Sequence, residues 1–201
     1  MDKNKSKQVI QVYDTIATQF DTARNKSLIE QTYLQLFLQY IPLKGQVLDL
    51  GCGTGRPILQ FLREHQLHVT PVDGSSSMLD IAKKHFPNQE FILQDMRSLN
   101  LNQLFDGIIA WHSLFHLSRE DQQSVFKLLS KHLKQGGILL FTSGNENSER
   151  WGENYGEWLY HASFSPFKYR ELLTKNGFRV IIHHTEDPNC GFATVWAAIK
   201  L

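Results

Sequence analysis

The chain has 201 residues, 41% of them hydrophobic and 20% charged, with a formal net charge of +1. That length carries one domain with a sizeable core, and the near-neutral balance excludes the electrostatic footprint of a nucleic-acid or anionic-membrane binder. Two cysteines, Cys52 and Cys190, are too few for a disulfide framework. No apolar run approaches a bilayer span, and the N-terminus "MDKNKSKQVIQVYD" lacks an apolar signal core. A cytoplasmic protein, monomeric or homodimeric, with neither nucleic acid nor membrane as partner, is expected.

Residues 1–46 read as helical, with Leu34, Phe37, Leu38 and Ile41 on one stripe. From Val47 onward, apolar runs alternate with amphipathic helices. "QVLDLG" is a strand and "PILQFLREHQ" a helix. "HVTPVD" and "SSMLDIAKKHF" repeat the unit, and "EFILQD" is a third strand. "FDGIIAWH" precedes the helix "REDQQSVFKLLSKHL", which Gly136-Gly137 is expected to stop before the strand "GGILLFTSG". This alternation predicts a parallel sheet with helices on both faces. After the helix "SPFKYRELLTKNGF", "RVIIHH" and "FATVWAAIK" are joined only by a short loop, so an antiparallel pair closes the sheet. Residues 144–164, polar and aromatic, are too long for an ordinary connection and read as a lid-like insertion within a single domain spanning 1–201.

"VLDLGCGTGRP" decides the ligand class. Its glycines, Gly51, Gly53 and Gly55, are spaced G-x-G-x-G, and Arg56 stands where a dinucleotide fingerprint continues towards its third glycine. A phosphate-cradling P-loop would end in Gly-Lys-Ser/Thr, which is absent. Asp49, just before the loop, would repel a pyrophosphate but suits a positively charged ligand group. Asp73, at the end of the second strand, is placed for a ribose diol. Asp95 offers an acceptor for an adenine amino group, and Met96 an apolar face. A nucleoside carrying a cation fits, and S-adenosylmethionine (SAM) is one.

These motifs, with "VTPVDGSSSML", "FILQDM", "FDGIIAWHSLFHL" and "LKQGGILLFTSG", resemble the class I SAM-dependent methyltransferases over nearly the whole chain. The resemblance implies an α/β, Rossmann-like seven-stranded sheet of order 3-2-1-4-5-7-6 with strand 7 antiparallel. It implies SAM as methyl donor, leaving as S-adenosylhomocysteine (SAH). Gly51, Cys52 and Gly53 would line the methionine moiety and Asp49 would support its amino group. Asp73, Gly74 and Met78 would hold the adenosine, Asp95 and Met96 the adenine. Trp111 and His112 would flank the sulfonium. "VYDTIATQFD" is similar to a covering helix, from which Tyr13, or less directly Arg24, would reach the methionine carboxylate. Pro71 departs from the family's usual glycine and leaves the second strand's end open.

Each residue also has a plain structural reading. Asp49 and Asp95 suit turns, Asp73 suits a helix N-cap, and Tyr13 suits packing. His112 and His116 lie one helical turn apart, yet no third ligand follows, so no metal is expected. His116, His161 and His112 are the candidates for a general base acting on an acceptor, packing being the alternative for each. The expected reaction is methyl transfer by in-line displacement to a small-molecule acceptor. A non-catalytic SAM- or SAH-binding regulatory module and a nicotinamide-dependent oxidoreductase are the competing readings. Trp151, Tyr155, Trp158, Tyr160 and Phe164 are expected to wall an acceptor cavity, or else to anchor the insertion.

Overall fold

A computed structural model describes residues 5–201; the first four residues of the expected 1–46 cover lie outside it. The N-terminal segment forms α1 (Lys5–Ala23) and α2 (Gln31–Leu38). The alternating region follows as β1 (Gln46–Leu50), α3 (Ile58–Glu64), β2 (His68–Asp73), α4 (Ser76–His85), β3 (Ile92–Leu93), β4 (Phe105–Ala110), α5 (Arg119–His132) and β5 (Leu133–Ser143). β6 (Ser148–Asn154) and β7 (Glu157–Ser163) form a separate hairpin, and α6 (Pro166–Lys175), β8 (Phe178–Asp187) and β9 (Ala193–Lys200) complete the chain.

The main sheet has the order β3-β2-β1-β4-β5-β9-β8. The pairings from β3 through β5 are parallel, and β9 runs antiparallel to both neighbours. With the hairpin set aside, this is the expected 3-2-1-4-5-7-6 order. Side chains alternate across the strands, so neighbours serve opposite cores. Leu48, Ile108 and Leu139 pack with Val125, Phe126 and Leu129 of α5 and with Leu173 of α6. Val47, Ile109 and Ile138 pack with Leu34 and Phe37 of α2 and Phe61 and Leu62 of α3. Truncating a fully buried ring such as Phe37 to alanine would cost about 3–5 kcal/mol.

Serine hydroxyls start three of the helices. Ser75, Ser118 and Ser165 accept from the backbone N–H of Met78, Asp121 and Lys168, at 3.1, 3.1 and 3.3 Å. The cap of α4 is therefore Ser75 and not Asp73.

Three local expectations are refined. α5 stops at His132, before the Gly136-Gly137 pair, because the His132 ring turns back: Nδ1 donates to the Leu128 carbonyl and Nε2 accepts from Leu101 N–H. The pairing register then shifts between Phe105 and Gly107 on β4, and Gly136 sits at φ 76°. Pro71 costs no ladder bond. Val72 faces β1, where its carbonyl accepts from Gly51 and Cys52 N–H, so Pro71 faces β3, whose pairing begins only at Val72. Segment 144–164 is largely a β-hairpin. Tyr155 and Gly156, at φ 53° and 85°, make the tight two-residue turn that matches strand twist.

The hairpin and α1 form one unit. Val9 and Ile16 of α1 pack on Leu159, Tyr160 and Ala162 of β7. Buried Gln122 of α5 ties the hairpin to the body: its amide donates to the Leu117 and Ala162 carbonyls, and its oxygen accepts from Tyr169.

Candidate active site

A cavity opens beyond the carboxyl ends of β1, β2 and β4, where the strand order reverses. Its floor is the loop at 51–55. Gly51, Gly53 and Gly55 all have positive φ (79°, 55° and 81°). At Gly51 a Cβ would also lie 2.5 Å from the Ser113 Cβ. Ser113, just after β4, donates to the Leu50 carbonyl at 2.9 Å and so binds the β4 loop to the glycine loop.

Asp73 braces that loop from the side. Its Oδ2 accepts from Gly53 N–H and its Oδ1 from Ser75 N–H, both at 2.8 Å. Burial raises its pKa despite those bonds. Each carboxylate oxygen keeps lone-pair capacity for a ligand.

Asp49 is buried, and its Oδ2 has no hydrogen-bond partner among the described residues. Burial, with nearby Asp73, pushes its pKa up to about 7, against the pull of Arg24. A buried carboxylate oxygen left unpaired is costly, and a cationic ligand group relieves that cost.

Helix α1 roofs the cavity with Ile10, Tyr13 and Phe20. Asp14 fastens it to the start of α4, accepting from Ser75 Oγ at 2.6 Å and Ser77 N–H at 3.0 Å. Asp21 meets His85 at 3.0 Å near the far end of α4. A Cβ on Gly74 would lie 2.8 Å from Ile10 Cδ1, so glycine there lets the roof sit close.

The other expected ligand residues, Cys52, Met78, Met96 and Trp111, also line the cavity. Burial raises the Cys52 thiol well above its usual range, which makes it a spacer rather than a nucleophile. Asp95 lines the cavity too, but it starts the turn at Met96–Ser98 and is gripped by the Arg97 guanidinium. Tyr13 does not offer a free hydroxyl, being bonded to His116. Arg24, in contrast, reaches the cavity with its Nε on the Arg56 carbonyl at 3.1 Å.

The three candidate histidines part company. His116 uses both ring nitrogens: Nδ1 donates to the Tyr160 carbonyl at 3.0 Å, so Nε2 accepts from Tyr13, at 2.8 Å. Burial, reinforced by His161, pushes its pKa down to about 3. His161 does not line the cavity; it lies behind His116, ring centroids 4.7 Å apart, with Nδ1 on the Leu159 carbonyl. His112 lines the cavity and has φ 51°, unusual for a residue with a Cβ. Burial holds its pKa at about 4. Among the described residues no group of potential metal ligands comes together.

The aromatic residues of the insertion are not in the cavity. Trp151, Tyr155 and Trp158 are exposed, while Tyr160 and Phe164 are buried in the packing against the body. Their alternation along a hairpin puts them on its outer face or beneath it, so the expected acceptor wall is not built from them.

Residues 47–137 match the family model of a methyltransferase domain. The part of the chain from β1 into β5 thus resembles a methyltransferase domain. The chain is 37% identical over 126 residues to a ubiquinone biosynthesis O-methyltransferase of Coxiella burnetii, covering 60% of this chain and 53% of that one. It is 32% identical over 136 residues to the putative methyltransferase YqeM of Bacillus subtilis, covering 65% and 54%. The chain thus spans about half the length of these curated relatives. Among solved structures, the DhpI–SAH complex superposes with a TM-score of 0.76 at 20% identity, over 100% of this chain and 98% of that one. A SAM-dependent methyltransferase from Clostridium acetobutylicum gives 0.73 at 16% identity, over 94% and 96%. At such identity the superposition speaks to the fold. The methyltransferase match begins at β1 and ends inside β5, so it takes in the glycine loop, Asp73 and His112. It leaves out α1, which roofs the cavity, and the hairpin packed against α1.

Proposed function

We propose that the protein transfers a methyl group from SAM to a small-molecule acceptor by in-line displacement. The observation that carries this reading is the partnerless buried oxygen of Asp49, opposite the glycine loop that Asp73 braces. SAM, when bound, supplies a methyl group made electrophilic by its sulfonium.

The chain's own residues then have separate tasks. Asp49 receives the amino group of the amino-acid moiety. Arg24, anchored on the Arg56 carbonyl, faces the carboxylate in place of Tyr13. Gly51 and Gly53 let the backbone approach. Asp73 takes the ribose hydroxyls on its remaining lone pairs, with Gly74 and Met78 beside the nucleoside. Met96 offers a face to the adenine, and Asp95, already held by Arg97, borders it. α1, backed by the hairpin, covers the cavity and limits water, which strengthens each polar contact inside. Catalysis on this reading is chiefly positioning.

A small-molecule acceptor is supported by the roof that α1 places over the cavity and by a net charge of only +1. No helix is long and apolar enough to cross a membrane among the described residues. A single-domain cytoplasmic protein remains the organisation we propose.

Calorimetry with SAH and with NAD tests the donor assignment, SAH being expected to bind and NAD not; the opposite pattern overturns it. Incubation with tritiated SAM and the low-mass fraction of a cell extract tests transfer. Tight SAM binding with no labelled product in any fraction would favour a non-catalytic regulatory module.

A further inference from the structure

His112 is the one candidate histidine that lines the cavity with a ring nitrogen left unpartnered among the described residues. Its backbone N–H donates to Thr142 Oγ1 on β5 at 2.8 Å, holding the left-handed conformation in place. Its ring Nδ1 lies 3.4 Å from the same oxygen. Thr142 is buried, and His112 supplies both of its hydroxyl's contacts.

We propose that Thr142 is a positioning residue that presents the Nε2–H of His112 to a carboxylate oxygen of the methyl acceptor. This rests on the reading of the cavity as the SAM site.

The tautomer follows from hydrogen-bond accounting. The Thr142 oxygen accepts from the backbone, and among the described residues Nδ1 is the acceptor its buried proton reaches, so that proton points to Nδ1. An imidazole that accepts at Nδ1 and is neutral carries its hydrogen on Nε2. Burial keeps the ring neutral at ordinary pH. The carboxylate follows from two further points. His116 has both nitrogens occupied, and His112 Nε2 is protonated, so neither has a lone pair free to remove an acceptor's proton. An acceptor that arrives already ionised needs no such base. An N–H donor also suits oxygen better than an amine: a carboxylate oxygen holds one lone pair on the donor and uses another for the new C–O bond. An amine has only one lone pair, and the donor would block it.

The test uses full-length protein carrying 15N-labelled histidine and loaded with SAH. Acetate and methylamine serve as probes, being small enough to enter irrespective of the true acceptor's shape. Two-bond proton–nitrogen spectra should show His112 with its hydrogen on Nε2 in the native protein and in Thr142→Ser, but a mixed tautomer in Thr142→Val. Acetate should shift the His112 Nε2 signal, and methylamine should not. Thr142→Val should weaken acetate by about twofold or more, in proportion to the Nε2–H fraction that the same spectra read, while SAH affinity is unchanged. Thr142→Ser should restore acetate binding. A hydrogen on Nδ1 in the native protein, no acetate shift, or native acetate affinity in Thr142→Val overturns the proposal alone. Failure of SAH to bind the native protein overturns the cofactor reading and this inference with it.

Discussion

The Tyr13 hydroxyl of α1 donates to His116 Nε2 at 2.8 Å, and His116 in turn donates to the Tyr160 carbonyl of β7. One imidazole therefore joins the roof helix, the loop after β4 and the hairpin. Burial raises the Tyr13 phenol and lowers the His116 imidazole, so both stay neutral. Tyr13→Phe leaves a buried acceptor unpaired, which costs about 1–3 kcal/mol. The expected outcome is a lower melting temperature and faster SAH release in stopped-flow displacement. Unchanged release would show that the roof does not depend on this bond.

The same histidine sets an acid limit. Its folded pKa, about 3, lies below its ordinary value of 6.5. The unfolded chain therefore binds the extra proton first, and stability falls as pH drops below 6.5 towards about 3. His112, at about 4, adds in the same direction. Denaturation followed from neutral to mildly acid pH should show this loss, and a His116→Gln variant should show a shallower one.

Asp49 behaves oppositely. Its folded pKa is raised from 3.8 to about 7, so its contribution to the ligand-free protein is full below 3.8 and lost as pH rises through about 7. An ammonium beside it favours the ionised form. Binding of SAM or SAH should release a proton near neutrality, and affinity should rise with pH in that range. Calorimetry in buffers of different ionisation enthalpy reads the proton directly. Asp49→Asn should abolish the release and weaken SAH, yet spare methylthioadenosine, which lacks the amino-acid moiety and its α-ammonium.

Gly51 and Gly136 separate backbone strain from steric exclusion. Both have strongly positive φ, 79° and 76°. An added Cβ meets nothing within 4 Å at Gly136 but lies 2.5 Å from Ser113 Cβ at Gly51. Gly136→Ala should cost about 1–2 kcal/mol, the conformational term. Gly51→Ala should cost more and also displace Ser113 from the Leu50 carbonyl, with loss of SAH binding. Equal melting temperatures for the two variants would refute the steric account.

Asp73→Ala removes the acceptor for Gly53 and Ser75 N–H together with the proposed ribose contact. SAH affinity should fall by about 1–3 kcal/mol or more. Unchanged affinity would show that the carboxylate serves the loop alone.

The fold was legible because its determinants are local. Apolar runs of strand length alternate with helices capped by Ser75, Ser118 and Ser165, and "TEDPNCG" is too short to be anything but an antiparallel connection between β8 and β9. The glycine loop and the carboxylates beside it were legible for the same reason: their spacing is read along the chain, and the structure brings them to one cavity. The hairpin was not, because Trp151 and Trp158 alternate with polar residues on a strand pair whose two faces both meet protein or solvent unevenly. The end of α5 was read to within one residue, but not the bond from Leu101 N–H to His132, thirty-one positions away, that accompanies it. The roles of the histidines were decided by tertiary structure alone. His112, His116 and His161 are alike in sequence. Their partners, Thr142, Tyr13 with Tyr160, and Leu159, come mostly from other elements and assign each ring nitrogen its proton. A hydrogen-bond partner supplied from a distant strand or helix leaves no mark in the local pattern, and only the packed sheet brings it within 3 Å or so.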